Sequence, residues 1–251
     1  MCGAETQLTE EHVPPQKAFN DCTVFLHKLD RDASPEAKFV PAGRPQQGGC
    51  RGYTLCGQCN NDTGDYARSY IEFARACAQY ASPVYANKIV PIAGGIRRQK
   101  VAKEALVIMC SCCSAEITDE YPDLKRLLLN RNARCLQHPL RLFAYIKCDP
   151  GGRRSGKSFV LRVDTRVARH VSDFAWWPLG FALTFNDTAV EEAAEVTHWL
   201  DCEYGEVSGG PVHLPCLWTT TPYPLDFRSP REVEKQIAES RAHAERAEAG
   251  G

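Results

Sequence analysis

The chain has 251 residues, with 30 Lys+Arg against 31 Asp+Glu, a formal net charge of -1. That near-neutral balance excludes a protein that grips nucleic acid by bulk charge alone, so any such contact must come from a local basic patch. Hydrophobic residues make up 43% and charged residues 24%, which excludes a disordered chain and predicts a globular one of one large or two small domains.

The opening segment holds Cys2-Gly3 and then Leu8-Thr9-Glu10-Glu11-His12-Val13-Pro14-Pro15, where the two prolines predict an extended turn. A helical or loop segment follows to about Leu29, and residues 31–49, rich in Pro, Gly, Gln and charge, read as a surface loop. Tyr53-Thr54-Leu55 predicts a short strand entering a tight turn, Cys56-Gly57-Gln58-Cys59. A helix is expected after Asn60-Asn61-Asp62-Thr63-Gly64, because Tyr66, Tyr70, Phe73, Cys77 and Tyr80 recur on one helical face, with Pro83 beyond its end. Further helices are predicted over about 99–115 and 122–130.

From Leu140 the pattern turns to alternation. Residues 141–147 and 159–164 read as strands joined by a Gly-rich turn, 171–174 and 180–185 as two more, and 212–217 as another. The Glu- and Arg-rich stretch from about Ser229 predicts a solvent-exposed helix. The expected fold class is α+β: a module over 1–80, an α+β domain with a mostly antiparallel sheet over 81–227, and a charged helical tail over 228–251.

The 13 cysteines come without an apolar run after a basic start and without a stretch of membrane-spanning length. The expectation is a cytoplasmic chain without membrane contact, whose cysteines are metal ligands or buried thiols rather than disulfides. Cys56 and Cys59 form one knuckle of a structural zinc site, and Cys2-Gly3 has the look of half of a second. A redox pair or two buried thiols are the plainer readings of a Cys-x-x-Cys. Cys110, Cys112 and Cys113 are expected as buried thiols on the second helix.

A Cys-Gly, then Glu11-His12-Val13-Pro14-Pro15, then Leu55-Cys56-x-x-Cys59-Asn60 resembles the HNH endonuclease superfamily, the ββα-metal nucleases on a treble-clef zinc scaffold. The resemblance covers about residues 2–75. It implies that Cys2, Cys56 and Cys59 hold structural zinc. It also implies that Glu11 and Asn60 bind a catalytic magnesium or manganese ion, and that His12 is the general base of DNA hydrolysis, in an enzyme of bacterial or phage type. The sequence departs from the pattern twice. The fourth zinc ligand is missing, leaving an upstream residue, Cys50 or Cys22 as substitutes. Arg51 stands where the family carries a loop-tying Asn. A non-catalytic zinc-finger protein binding nucleic acid, with a decayed pocket, is therefore the alternative.

Gly151-Gly152-Arg153-Arg154-Ser155-Gly156-Lys157-Ser158 matches the phosphate-loop pattern and gives a third reading, a nucleotide-binding protein. That reading requires a helix after Ser158, whereas Phe159-Val160-Leu161-Arg162-Val163 predicts a strand. Trp176, Trp177 and Trp199 are candidates for base stacking or core packing. Arg68, Arg75, Arg97, Arg98, Lys100 and Lys103, and separately Arg153, Arg154 and Lys157, are candidate phosphate-binding patches or solvated faces. His138, His170, His198 and His213 have no companion at ligand spacing. Nothing in the pattern predicts the oligomeric state.

Overall fold

The computed structural model describes residues 1–2, 6–29, 39–41, 44–113, 117–135, 139–162 and 167–249. The strands are β1 (Leu8–His12), β2 (His27–Leu29), β3 (Phe39–Pro41), β4 (Arg51–Cys56), β5 (Ile89–Ile92), β6 (Arg141–Lys147), β7 (Gly152–Arg154), β8 (Ser158–Arg162), β9 (Val167–Trp176), β10 (Leu179–Thr184), β11 (Ala194–Glu195) and β12 (Val212–Leu217). The helices are α1 (Gly57–Ala78), α2 (Arg98–Cys112), α3 (Ile117–Glu120), α4 (Pro122–Leu129) and α5 (Pro230–Ala249), with 3-10 turns at Pro83–Tyr85 and Thr197–Asp201. The architecture is mixed α+β with a mostly antiparallel sheet.

Eight strands form that sheet, in the order β5-β12-β6-β10-β9-β7. β11 and β12 share one edge of β6, and β7 and β8 share one edge of β9. The β6–β12 pair is parallel and the rest are antiparallel. The expected turn joining residues 147 and 159 is therefore not a hairpin between neighbours. β7 and β8 run successively along β9, and Ser155 N donates to the Asp173 carbonyl at the break between them.

One sheet face packs on α2, where Ser172 Oγ lies 3.3 Å from Met109 Sδ. The segment 219–228 covers the other face through a buried polar network. Arg153 pairs with Asp173 at 2.7 Å, and Tyr145 Oη and Leu225 N donate to the two oxygens of the same carboxylate. Arg153 also donates to the carbonyls of Thr221 and Asp226.

Helix α1 buries Cys59, Thr63, Tyr66, Tyr70, Phe73 and Cys77, a stripe at steps of four and three. It begins at Gly57, earlier than the sequence predicts. The Cys56 sulfur acts as N-cap, accepting from Cys59 N at 3.4 Å, so Cys56-x-x-Cys59 is the entry and first turn of the helix and not a preceding loop. Gly64 lies exposed inside the helix. Helix α2 is buried on every side from Val101 to Met109, enclosed by α1, α4, the Thr197–Asp201 turn and the sheet.

A single apolar cluster runs from Val13, Leu55 and Cys59 through Tyr70, Ala81 and Leu106 to Ile146, Phe174 and Phe181. It crosses the boundary expected near residue 80. Trp199 is part of it, edge-on to Phe73 at 5.6 Å. Trp176 Nε1 donates to the Phe19 carbonyl and Trp177 Nε1 to the Ala81 carbonyl. Trp199 thus serves packing, whereas Trp176 and Trp177 are half-buried and held by their indole N–H groups. No helix is long and apolar enough to cross a membrane among the described residues.

Candidate metal centres and the β1–β4–α1 unit

β1 pairs antiparallel with β4, setting Leu8 opposite Cys56, Glu11 opposite Gly52 and His12 opposite Arg51. The register shifts between Thr9, opposite Leu55, and Glu10, opposite Tyr53, leaving Thr54 as the extra residue of a β-bulge. The chain then enters α1. This two-strand, one-helix unit carries Glu11, His12, Cys56, Cys59 and Asn60, and Cys2 lies against it.

Cys2, Cys56 and Cys59 present sulfurs that all lie within 4.8 Å of one another. Cys2 and Cys56 approach to 3.6 Å. Tetrahedral zinc with bonds of about 2.3 Å separates two thiolates by ~3.8 Å, so the donor set and spacing fit that ion. Donation from Cys59 N draws the Cys56 thiol below its ordinary value, while burial pushes Cys59 up. The positive end of α1 favours thiolate at both positions. Lys125 of α4 donates to the Cys2 carbonyl at 2.7 Å and ties the chain start to the core. Neither expected substitute joins as a fourth ligand. Cys50 is buried elsewhere, its sulfur accepting from Arg154, and Cys22 is exposed. Among the described residues the group has three members.

Thr9 and Glu11 share one face of β1 by strand alternation. Asn60 Nδ2 lies 3.4 Å from Thr9 Oγ1, which leaves the Asn60 carbonyl oxygen uncommitted among the described residues. Glu11 Oε1 accepts from Ser111 Oγ of α2 at 3.1 Å, and the bulged Thr54 donates to the same Ser111 at 2.9 Å. Burial raises the Glu11 carboxyl to about 7, with the Ser111 hydrogen bond opposing. Asn60 thus bonds Thr9, and Glu11, two residues further along β1, bonds Ser111.

His12, the last residue of β1, turns to the loop before β4, its Nε2 3.0 Å from the Gly48 carbonyl. A carbonyl only accepts, so Nε2 is the donor, which in the neutral ring leaves the lone pair on Nδ1. Among the described residues no hydrogen bond joins His12 to Glu11 or Asn60. Sequence reasoning missed what fixes this loop. Fully buried Asn20 donates to the Pro14 and Cys50 carbonyls and accepts from Cys50 N at 2.6 Å. Gly49, at φ +104°, must be glycine, because a Cβ there would stand 2.0 Å from the Asn20 carbonyl oxygen. Arg51 ties the same loop from its exposed side: its guanidinium donates to the Gln47 carbonyl at 3.1 Å and pairs with exposed Glu10 at 3.1 Å, and its backbone N–H donates to the Gln46 side chain.

The expected basic patches are largely committed elsewhere. Arg68 and Arg97 both pair with Glu72, and Lys100 pairs with Asp65 at 2.6 Å. Lys103 is buried and Arg153 is locked to Asp173. Lys157 bonds to Glu120, and the chain beyond it enters strand β8, so the segment 151–158 lacks the helix that a phosphate loop needs. The nucleotide-binding reading falls on that strand. A cleft of about 1350 Å³ opens beyond the His12 loop, lined by Val13, Cys50, Arg154, Trp176 and Thr221, but its Lys147 pairs with Asp149. His170, His198 and His213 stand on separate elements, β9, the Thr197–Asp201 turn and β12, and His138 lies outside the described residues.

No protein-family model matches the chain, and no curated protein or solved structure matches it.

Proposed function

We propose that the chain is a divalent-metal-dependent endonuclease that hydrolyses DNA phosphodiester bonds, built on a zinc-held treble-clef module of the HNH type. What supports this reading is that Glu11, His12 and Asn60 all stand on one β1–β4–α1 unit, beside which three thiols meet. Cys2, Cys56 and Cys59 hold structural zinc and so fix α1 against β1. The ionised Glu11 and the free carbonyl oxygen of Asn60 are hard donors suited to magnesium or manganese. Such a cation, when bound, polarises the scissile phosphate and stabilises the leaving oxygen. His12 accepts the proton of the attacking water on Nδ1, its ring held by the Gly48 carbonyl and the Asn20-tied loop. Thirteen free thiols suit a reducing compartment, and we place the protein in the cytoplasm.

One observation favours a second reading, a zinc-finger protein that binds nucleic acid without cutting it. The Arg51 side chain occupies the middle motif position and is paired outward to Glu10. Incubation with supercoiled DNA separates the two. The nuclease reading predicts nicking that requires magnesium or manganese and vanishes in His12→Ala. The binding reading predicts DNA retention without nicking at any metal concentration.

A further inference from the structure

The cleft beyond the His12 loop has a chemistry that the metal pocket leaves unused. Its volume is about 1350 Å³, above the ~300–1,000 Å³ of a site shaped around one small molecule, so it suits a length of chain. Val13, directly after His12, and Cys50 form part of its wall, and Val13 N donates to the Cys50 carbonyl at 3.0 Å. The cleft is thus continuous with the end of β1 that carries His12.

Two features of the lining point to a ligand. The first is aromatic. Trp176 is half-buried, and its ring packs so closely on Gly152 that a Cβ there would stand 2.5 Å from it. Its Nε1 donates to the Phe19 carbonyl at 3.1 Å, so the ring is fixed before any ligand arrives. Phe25, 69% exposed, belongs to the same lining. The second feature is charge. Asp149 is held by Lys147 and Arg153 by Asp173, each pair at 2.7 Å. Arg154 is exposed and has no carboxylate partner among the described residues; its Nη1 lies 3.5 Å from Cys50 Sγ. One uncompensated positive charge therefore stands where the cleft meets the His12 loop.

A fixed aromatic ring beside a free guanidinium is suited to nucleic acid with unpaired bases, since the ring stacks on a base and the cation meets a phosphate. A duplex hides its base faces, and an acidic peptide would find a single free cation here. We propose that the cleft binds an unpaired stretch of the DNA substrate, with a base stacked on Trp176 and a phosphate held by Arg154, and leads that strand to the His12 loop. This rests on the nuclease reading given above and adds the form of its substrate. It also agrees with a net charge of -1, which gives no bulk grip on a duplex.

The test is the fluorescence anisotropy of a labelled oligo(dT) of about 10 nucleotides, and of its duplex with oligo(dA), titrated with the zinc-loaded full chain without magnesium or manganese. The single strand is expected to bind more tightly than the duplex. Trp176→Leu should weaken single-strand binding by ~10-fold. Arg154→Gln should also weaken it and lower the log–log salt slope by about 0.7. Phe25→Ala, at an exposed position, gives the aromatic readout if Trp176→Leu fails to fold, and should likewise lose affinity. A preference for duplex, or unchanged single-strand affinity in the folded variants, overturns the role of the cleft; magnesium-dependent nicking by the unsubstituted protein would then leave the nuclease reading standing. Single-strand binding that depends on Trp176 and Arg154, in a protein that nicks no DNA with either metal, supports the cleft and overturns the nuclease reading.

Discussion

Replacing Glu104, a buried residue of α2, by Gln should change how stability depends on pH when no divalent metal is added. The folded-state carboxyl is raised from 4.5 to about 8, first by burial and then by the Glu11 charge. Between those values the folded chain retains a proton that the unfolded chain releases, so stability falls as pH rises across the window. At roughly 1.4 kcal/mol for each pH unit crossed, Glu104 alone removes about 3 kcal/mol of stability between pH 5 and pH 8. The amide of Glu104→Gln brings its own packing cost, but that cost does not vary with pH and cancels in the comparison. Urea denaturation of both proteins at pH 5 and pH 8 measures the effect. The variant should gain on the parent by about 3 kcal/mol over that interval, with the residual slope coming mainly from Glu11, itself raised to about 7. Parallel pH profiles would show that the Glu104 carboxyl is not desolvated in the folded chain.

Two further outcomes follow from the same packing. Metal analysis should find about one zinc per chain, falling to a small fraction in Cys56→Ser, because two remaining thiols hold the ion poorly. Full zinc content in that variant would refute the three-thiol site. Asp173→Ala removes the counter-charge of buried Arg153 and the anchor of Leu225 N, and should cost on the order of 3–5 kcal/mol in chemical denaturation. A loss below about 1 kcal/mol would show that segment 219–228 is not held through this carboxylate.

The sheet is legible in the sequence where periodicity is local. β6, β10 and β12 read from apolar alternation or runs, and the buried stripe of α1 from steps of three and four. β1 is not, because Leu-Thr-Glu-Glu-His has no apolar face of its own and becomes a strand only by pairing with β4, about forty positions away. β5 is hidden by Pro91, which an edge strand tolerates. The start of α1 is misplaced because a cysteine sulfur caps it, where Ser, Thr, Asp or Asn is the usual signal.

The site is legible in the same uneven way. Cys2, Cys56 and Cys59 stand out by spacing, and their sulfurs do meet. Glu11, His12 and Asn60 emerge through a resemblance, and the fold sets them on one unit. Asn20 carries no signal, since only the folded loop reveals the three backbone groups it joins.

The central claim is that a lone pair on His12 and two oxygen donors on one strand–helix unit cut DNA together. The most direct measurement is the rate of nicking of supercoiled DNA in magnesium or manganese by the unsubstituted protein and by folded His12→Ala. A metal-dependent rate that drops at least ~100-fold in the variant is the predicted result. Equal rates in the two proteins, or no nicking by either at any metal concentration, would contradict it.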